Sequence, residues 1–332
     1  MANSVYTLER RAKASWHYVP EGYLRPVLQM ARAPRARKVP ARTMGVRPID
    51  RVELIGCGGT GSILAEHLAR MIAGFRLPVC LCLWDGDRVE LANVIRQNFR
   101  PEEVGVNKAA AMATRLSQEY GIVVASRQVN LGDGSPTMFN REGTLTITAT
   151  DNLASRRLVA SRYPVWWLDV GNELHHGQAI LGTNANEYDL KQNFWQFKSG
   201  GGWGFSRCLP TIADLNPALA DDGPEDPQAS CADQPFALQG FGVNAAAALA
   251  AAMLARQCLV DRLIRHHAVY FNVTEGFFRP APITQELYRP WKYGKTAWQK
   301  AADARRLKRE AAAKKKATTE AQRTQRKRRA RR

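Results

Sequence analysis

Hydrophobic residues between positions 48 and 275 form short runs of strand length, separated by longer stretches with helical spacing. The runs 52–55 and 79–84 are almost entirely apolar, which is typical of strands buried on both faces. A helical stretch reaching about residue 73 lies between them. The same alternation predicts strands at 122–129, 144–150, 165–170, 178–182 and 267–273, and helices at 108–120, 154–162 and 237–260. This order predicts a Rossmann-like α/β fold with a doubly wound, mostly parallel sheet and helices on both faces.

Two terminal stretches lie outside this pattern and define the domain boundaries. Residues 1–47 are rich in Arg, Pro and Ala, and we interpret them as a basic arm with one short helix near 8–15. Residues 299–332 contain almost no large apolar residue, which predicts a disordered or nascent-helical tail. One domain, 48–298, remains between them. Within it, residues 199–234 are too long for an ordinary connector, so we expect a mobile functional loop or a partly disordered crossover.

The net charge of +18 first suggests a nucleic-acid binder, but its distribution changes that interpretation. Residues 1–51 carry 11 basic and 3 acidic side chains, residues 300–332 carry 15 and 3, and the middle carries 22 and 24. The tail from 300 to 332 could contact DNA, RNA or an acidic partner, or it could be solvated without a specific partner. The function of the near-neutral centre has to be inferred from its motifs.

Apolar runs and cysteines exclude several classes of protein. The longest apolar run, 245–255, is about half of the roughly 20 residues that a membrane span needs, and residues 1–13 lack an apolar signal core. We therefore expect a soluble cytoplasmic protein without membrane contact. The 6 cysteines include no C-x-x-C pair, which argues against a disulfide scaffold and against a structural zinc site.

The first strand is followed by a glycine-rich loop, Gly56-Cys-Gly-Gly-Thr-Gly61. Between a strand and a helix such a loop is suited to phosphate, because the glycines permit a tight turn and a close backbone approach. The helix N-terminus adds free N–H groups and the positive end of its dipole. Gly56, Gly58 and Gly61 hold the three motif positions, and Gly59 adds a fourth glycine. The loop predicts a bound nucleotide; a glycine turn that serves only packing is the alternative.

Polar residues after the later strands favour ATP as this nucleotide. Asp85 ends the second strand, where a carboxylate suits ribose hydroxyls. Arg96 and Lys108 supply cations for the β- and γ-phosphates, and Asp151 follows a later strand, where it could hold Mg²⁺. A nicotinamide oxidoreductase would account only for the glycine loop and Asp85. The G-K-[ST] sequence of a P-loop is absent from the chain.

Five motifs occur in a fixed order. They are G-x-G-G-x-G at 56–61, D-x-D at 85–87, N-x-x-R-Q at 93–97, the helix-opening Lys108, and T-D-N at 150–152 followed by Arg156. With this set, residues 48–275 resemble the ThiF/MoeB/HesA superfamily, the ubiquitin-activating-enzyme-like adenylyltransferases. The extended ends, Trp166-Trp167 and the segment 239–244 are most similar to the ThiF-like members of PRTRC plasmid cassettes.

This resemblance implies an adenylyltransferase that binds Mg·ATP and the C-terminal carboxylate of a small ubiquitin-like protein. The products are an acyl-adenylate and pyrophosphate. The resemblance implies that the loop glycines line the phosphates and that Asp85 holds the ribose. It assigns the remaining nucleotide contacts to Asp87, Asn93, Arg96, Gln97, Lys108 and Asp151. Among these, Asn93, Arg96 and Lys108 would neutralise the triphosphate, Gln97 would brace Arg96, and Asp151 would position Mg²⁺.

The resemblance also implies a homodimer, since a second basic group usually comes from the partner's N-terminal helix. Arg10 and Arg11 are the candidates for that group in this chain. The rival hypothesis is a nucleotide-binding scaffold protein of a plasmid-borne cassette. Its adenylation site would be vestigial and its basic tail would contact DNA.

Some relatives pass the acyl group to a cysteine in the crossover loop. Cys208 and Cys231 lie there, and such a nucleophile must be exposed and partly thiolate. Arg207 would lower the pKa of Cys208, whereas Asp233 would raise that of Cys231. An unreactive loop thiol is the alternative for both.

Overall fold

The protein is built around a mixed sheet of eight strands, as seen in a computed structural model. The structure describes residues 43–132, 139–151, 153–198, 208–216 and 242–291. All of these lie in one unit, Ala41–Arg332. The predicted tail, 299–332, and all but the last five residues of the predicted arm, 1–47, lie outside the described residues, so both remain predictions.

The helices and strands follow the predicted alternation. The strands are β1 (Met44–Gly45), β2 (Arg51–Ile55), β3 (Cys80–Trp84), β4 (Val124–Arg127), β5 (Thr144–Thr148), β6 (Trp166–Asn172), β7 (His176–Thr183), β8 (Leu263–Ile264), β9 (His266–Asn272) and β10 (Phe277–Pro282). The helices are α1 (Gly59–Gly74), α2 (Leu91–Arg96), α3 (Lys108–Tyr120), α4 (Leu153–Ser161), α5 (Glu187–Lys198), α6 (Ile212–Leu215) and α7 (Val243–Arg256).

The strand order is β10-β9-β7-β6-β5-β2-β3-β4, and its two halves differ in direction. The strands β2 to β6 are parallel, which confirms the predicted Rossmann-like, mostly parallel sheet. In contrast, β7, β9 and β10 pair antiparallel. The turn 173–175 between β6 and β7 is too short for a crossover, which forces this reversal. β1 and β8 form a separate antiparallel pair.

Helices α1, α3 and α7 share one face of the sheet, where α1 packs against both α3 and α7. Alanines such as Ala247 and Ala251 are fully buried and let α7 approach the strands closely. By composition and length, the stretch Val243–Asp261 could span a membrane, but 67% of its most apolar window is buried inside the protein, as expected of a core helix. α4 links β5 to β6, in the opposite direction along the sheet. A right-handed crossover therefore puts it on the other face.

The topological switch point of the sheet lies between the paired strands β2 and β5. The chain leaves β2 toward β3 on one side and leaves β5 toward β6 on the other. In open α/β sheets such a switch point creates a crevice at the carboxyl ends of the two strands, and ligands bind there. The N–H of Ala149 donates to the carbonyl of Ile55 at 2.9 Å, so the loops that follow β2 and β5 lie side by side.

A buried ion pair joins α4 to the centre of the sheet. Asp169 on β6 is 2% exposed, and its Oδ1 accepts from Arg156 Nε at 2.8 Å and from Thr148 Oγ1 at 2.6 Å. Arg156 Nη2 also donates to the carbonyl of Val170 at 3.0 Å. Trp167 Nε1 completes the network by donating to Thr148 Oγ1 at 2.9 Å. The carboxylate is held beneath the switch point with its charge compensated.

We expect Arg156→Met to lower the free energy of unfolding by about 3–5 kcal/mol, because it leaves Asp169 buried without its cation. Arg47→Met is the matched control. The side chains of Arg47 and Glu142 form an ion pair but are 82% and 79% exposed, so this substitution should cost less than about 1 kcal/mol. Urea denaturation followed by circular dichroism measures both, and equal losses would contradict the structural role given to Arg156.

Candidate nucleotide-binding site

The glycine loop at the switch point needs two of its glycines for its own conformation. Gly56 has a φ of +92°, and a Cβ there would lie 2.8 Å from the carbonyl oxygen of Ala149. A Cβ on Gly61 would lie 1.8 Å from the carbonyl oxygen of Gly56. Both contacts are with backbone, which has no alternative rotamer. Gly56 and Gly61 are therefore required by the protein itself.

Gly58 is open where the other loop glycines are crowded. A Cβ on Gly58 would meet no atom within 4 Å. Gly58 precedes α1, whose first turn carries no acidic side chain. The open space beside the half-buried backbone of Gly58 and the first N–H groups of a long helix form a place where phosphate oxygens can approach closely. This agrees with the prediction that Gly58 serves the ligand.

Asp85 is tied directly to the glycine loop. Its Oδ2 accepts from the N–H of Cys57 at 2.7 Å, and its Oδ1 accepts from the N–H of Asp87 at 2.9 Å. Burial raises the pKa of Asp85, while these two N–H donors and the nearby Lys108 oppose the rise. The carboxylate is thus oriented at the end of β3, where the ribose of a nucleotide was predicted to bind.

Lys108 lies next to Asp87 at the start of α3. Its side chain is only 11% exposed, and Nζ is 3.1 Å from Asp87 Oδ2. Its N–H also donates to the carbonyl of Asp87 at 2.9 Å. The cation is therefore held close to the glycine loop through Asp87 and Asp85.

Asn107 is a site residue that the sequence analysis did not select. Its Nδ2 donates to the carbonyls of Asp85 at 2.8 Å and Asp87 at 3.0 Å, and its Oδ1 accepts from the N–H of Ala110 at 3.1 Å. The Asn107 side chain therefore caps α3 and at the same time holds the D-x-D turn in place. An asparagine directly before a predicted helix is an N-cap signal, but the contacts with residues 85 and 87 depend on tertiary structure.

The N-x-x-R-Q motif forms the short helix α2 and the turn after it. Asn93 is buried, and its Oδ1 accepts from the N–H of Glu90 at 2.9 Å. Arg96 is half-buried in the last turn. The N–H of Asn98 donates to Ser62 Oγ at 3.0 Å, which anchors the segment to the first turn of α1. The motif is thereby fixed against the glycine-loop helix.

Two buried polar atoms in the motifs, Gln97 Oε1 and Thr150 Oγ1, have no hydrogen-bond partner among the residues that the structure describes. A brace of Arg96 through Gln97 Oε1 is therefore not formed. Buried polar atoms are normally satisfied, and a polar ligand in the crevice could satisfy both. Asp151 follows Thr150 and is exposed. No cluster of three metal-ligating side chains occurs in the described ranges, so Asp151 could hold Mg²⁺ only together with oxygens of the nucleotide or water.

Of the two possibilities for Cys208, a nucleophile or an unreactive loop thiol, the structure favours the unreactive thiol, and the predicted lowering of its pKa by Arg207 is wrong. Cys208 is 4% exposed, and burial raises its pKa to about 12. Asn193 Nδ2 lies 2.7 Å from its sulfur. The segment 208–216 is packed and contains α6, so this part of the predicted mobile loop is ordered. Cys231 lies outside the described residues.

Comparison with known proteins finds similarity in the part of the chain that contains the five motifs. A family model, that of the ThiF family, matches residues 48–165. The chain is 44% identical over 66 residues to ubiquitin-like modifier-activating enzyme 5 of Drosophila melanogaster, which is 20% of this chain and 15% of that protein. It is 32% identical over 120 residues to the protein of that name from Caenorhabditis elegans, which is 32% of this chain and 27% of that protein. The matched segments thus span well under a third of these relatives.

Solved structures also align with the chain. Escherichia coli MccB with ATP aligns at a TM-score of 0.44 and 15% identity, over 71% of this chain and 64% of that chain. PaaA aligns at a TM-score of 0.45 and 18% identity, over 71% of this chain and 64% of that chain.

The ThiF-family match contains all five motifs, from the glycine loop at 56–61 to T-D-N at 150–152. It confirms the predicted resemblance at the level of the superfamily, whereas the narrower likeness to PRTRC cassette proteins stays a prediction. Residues 48–165 of this chain match the model of the ThiF family.

Proposed function

We propose that this protein is an ATP-dependent adenylyltransferase that activates a carboxylate as an acyl-adenylate. One observation carries the proposal: a hydrogen-bonded chain runs from the glycine loop through Asp85 and Asp87 to Lys108. It places a carboxylate suited to ribose beside a cation suited to phosphate, at the switch point of the sheet. The ThiF-family match supports the same activity.

The roles of the residues follow from their positions. The backbone at Gly58 and the first turn of α1 would donate hydrogen bonds to the phosphate oxygens. Asp85 would accept hydrogen bonds from the ribose hydroxyls. Lys108 and Arg96 would neutralise charge on the triphosphate, with the Nδ2 donor of Asn93 as a further contact. Cations that are fixed before the reaction stabilise a developing charge without reorganisation.

The proposed reaction is a displacement at the α-phosphorus of ATP. A carboxylate oxygen of the substrate forms a bond to this phosphorus, and the bond to the bridging oxygen breaks and releases pyrophosphate. Negative charge grows on the leaving oxygens, which the side chains of Lys108 and Arg96 would stabilise. Mg²⁺, when bound near Asp151, would supply additional charge neutralisation on the phosphates.

The substrate we propose is the C-terminal carboxylate of a small ubiquitin-like protein. The support is the sequence similarity to ubiquitin-like modifier-activating enzyme 5 from several organisms. A homodimer completed by Arg10 or Arg11 of the second copy belongs to the same proposal. These arginines lie outside the described residues, as does the tail that could contact nucleic acid.

Onward transfer to a cysteine is a separate part of the proposal. The burial of Cys208 disfavours it as the acceptor, because a thiol with a pKa of about 12 is almost fully protonated near neutral pH. Cys231 is the candidate that stays open.

Lys108→Ala should reduce ATP–pyrophosphate exchange by about 10²–10³-fold, because it removes a fixed cation from the triphosphate site. The assay uses full-length protein, Mg·ATP and candidate small ubiquitin-like proteins. Lys191→Ala, on α5, is the matched control and should retain wild-type exchange. Full activity of Lys108→Ala would remove Lys108 from the mechanism. Absence of exchange by the wild type with every candidate would favour the scaffold hypothesis.

Gly58→Ala and Gly61→Ala should separate ligand contact from folding. Gly58 has a φ of −76° and open space around its Cβ position. Alanine there should change the free energy of unfolding by less than about 1 kcal/mol, in the range of an ordinary surface substitution. It should nevertheless weaken ATP binding at least about tenfold, as expected if phosphate approaches the bare backbone.

Gly61→Ala should instead destabilise the protein before any ligand is added, because its Cβ would overlap the carbonyl oxygen of Gly56. Thermal unfolding and isothermal titration with ATP measure the two effects. Unchanged ATP affinity in Gly58→Ala would show that phosphate does not bind at Gly58.

Cys208 should react slowly with iodoacetamide in the native protein at pH 8. With a pKa of about 12, only about one thiol in 10⁴ is ionised at that pH. The raised pKa means that its reactivity increases only as the pH rises toward 12. Intact-mass analysis of wild type, Cys208→Ala and Cys231→Ala measures the rate. Loss of a fast-labelling site, or of an acyl adduct formed with ATP and substrate, in Cys208→Ala would restore Cys208 as the acceptor.

A further inference from the structure

Three polar side chains from distant parts of the chain meet at the first turn of α1. Thr60 Oγ1 is 3.0 Å from Asn172 Oδ1 and 3.3 Å from Asn244 Oδ1, and it can donate to either oxygen. Asn172 Nδ2 donates to Asn244 Oδ1 at 3.3 Å. Thr60 belongs to the glycine loop, Asn172 ends β6, and Asn244 lies in the first turn of α7. We call this group the asparagine bracket.

Gly59 is the residue that lets the bracket form. A Cβ on Gly59 would lie 2.5 Å from Asn244 Nδ2 and 3.0 Å from Asn244 Cγ. The three nearest atoms all belong to the Asn244 side chain. Gly59 is also the first residue of α1 and has no positive φ, so its backbone conformation suits alanine. The absence of a side chain at Gly59 therefore makes room for the side chain of Asn244. At Gly58, in contrast, the space is left open.

We propose that Asn244 is a positioning residue of the nucleotide site and that Gly59 is a glycine because of Asn244. The proposal rests on the proposed function for the identity of the ligand, ATP. It replaces the expectation that Gly59 lines the phosphates directly. Asn244 acts through the glycine loop: together with Asn172 it fixes Thr60, and thereby the direction of the N–H groups in the first turn of α1.

The position of the bracket explains why it matters for phosphate binding. The loop is held on one side by Asp85, which binds the N–H of Cys57. The bracket holds the other end of the loop, two residues beyond Gly58. A loop fixed at both ends keeps its N–H groups in the orientation that phosphate needs, and small misplacements of binding groups are costly. The contact of Ser62 with Asn98 holds the first turn of α1 from another side, and the bracket adds the restraint on Thr60, next to the loop glycines.

The experiment is a double-mutant cycle on the full-length protein with Gly59→Ala, Asn244→Ala and both together. Each variant is measured for thermal stability without nucleotide, for ATP affinity by calorimetry, and for the KM of ATP and of the small-protein substrate in ATP–pyrophosphate exchange. Asn184→Ala is the matched control, because Asn184 is exposed and follows β7 at the amino ends of the parallel strands, away from the glycine loop. It should leave all three measurements unchanged.

Asn244→Ala should weaken ATP binding about 3–10-fold, the loss expected for one or two hydrogen bonds. The KM of ATP should rise by a similar factor, while kcat and the KM of the protein substrate stay within about twofold. A role in general stability alone would not produce this split. Gly59→Ala should lower the melting temperature and weaken ATP binding at least as much. The double variant should return to the stability and ATP affinity of Asn244→Ala alone, since alanine at 244 removes the clash.

Two results would overturn the proposal. ATP affinity in Asn244→Ala equal to the wild type would exclude a positioning role. A double variant that binds ATP at least tenfold more weakly than Asn244→Ala would show that Gly59 contacts the phosphate after all. If the wild type binds no ATP, the proposed function fails, and the stability cycle still decides whether Gly59 and Asn244 are coupled: additive losses would refute the coupling.

Discussion

The close approach of two backbone segments at the carboxyl ends of β2 and β5 is the constraint on which the rest of the site depends. The N–H of Ala149 donates to the carbonyl of Ile55, and Gly56 turns so tightly beside Ala149 that no side chain fits. Because the chain leaves these two strands in opposite directions, the crevice between them cannot close by packing. The glycine loop, Asp85 and Asp151 are all placed relative to this one contact.

Polar side chains orient the loop, in addition to the packing of Cys57 in the apolar core. Asp85 holds its beginning and the asparagine bracket holds its end, while Asn107 holds the D-x-D turn next to Lys108. Hydrogen bonds are directional, so they set the orientation of backbone N–H groups more closely than dispersion contacts do. The apolar core below, with α1 packed on α7, supplies the stability that a polar crevice lacks.

Local signals explain which parts of the fold the sequence predicts. The helix α3 begins and ends at the predicted residues because both signals are local: Asn107 caps its N-terminus, and Gly121, in the left-handed conformation, ends it. The antiparallel edge of the sheet was not predicted, since consecutive residues of β7 and β9 are buried and give the apolar runs that are typical of parallel strands. β10 contains two prolines and was missed entirely. For the site, the motifs identify Asp85, Asp87 and Lys108, but the contacts of Asn172 and Asn244 join residues 72 to 184 positions apart. The burial of Cys208 likewise depends on contacts with Asn193 of α5 and with Tyr288. These tertiary contacts cannot be predicted from the sequence around Cys208.

The two prolines of β10 have a consequence for how this sheet meets other chains. β10 is an edge strand, and Pro280 and Pro282 occupy alternate positions along it. Alternate residues direct their N–H groups to the same side, and proline is tolerated where that side faces away from the neighbouring strand. Neither Pro280 nor Pro282 has an N–H donor, and the pairing of β10 with β9 is irregular between Ala281 and Pro282. An incoming extended peptide would find an incomplete set of backbone donors there, which makes the border of β10 a poor template for edge-to-edge pairing.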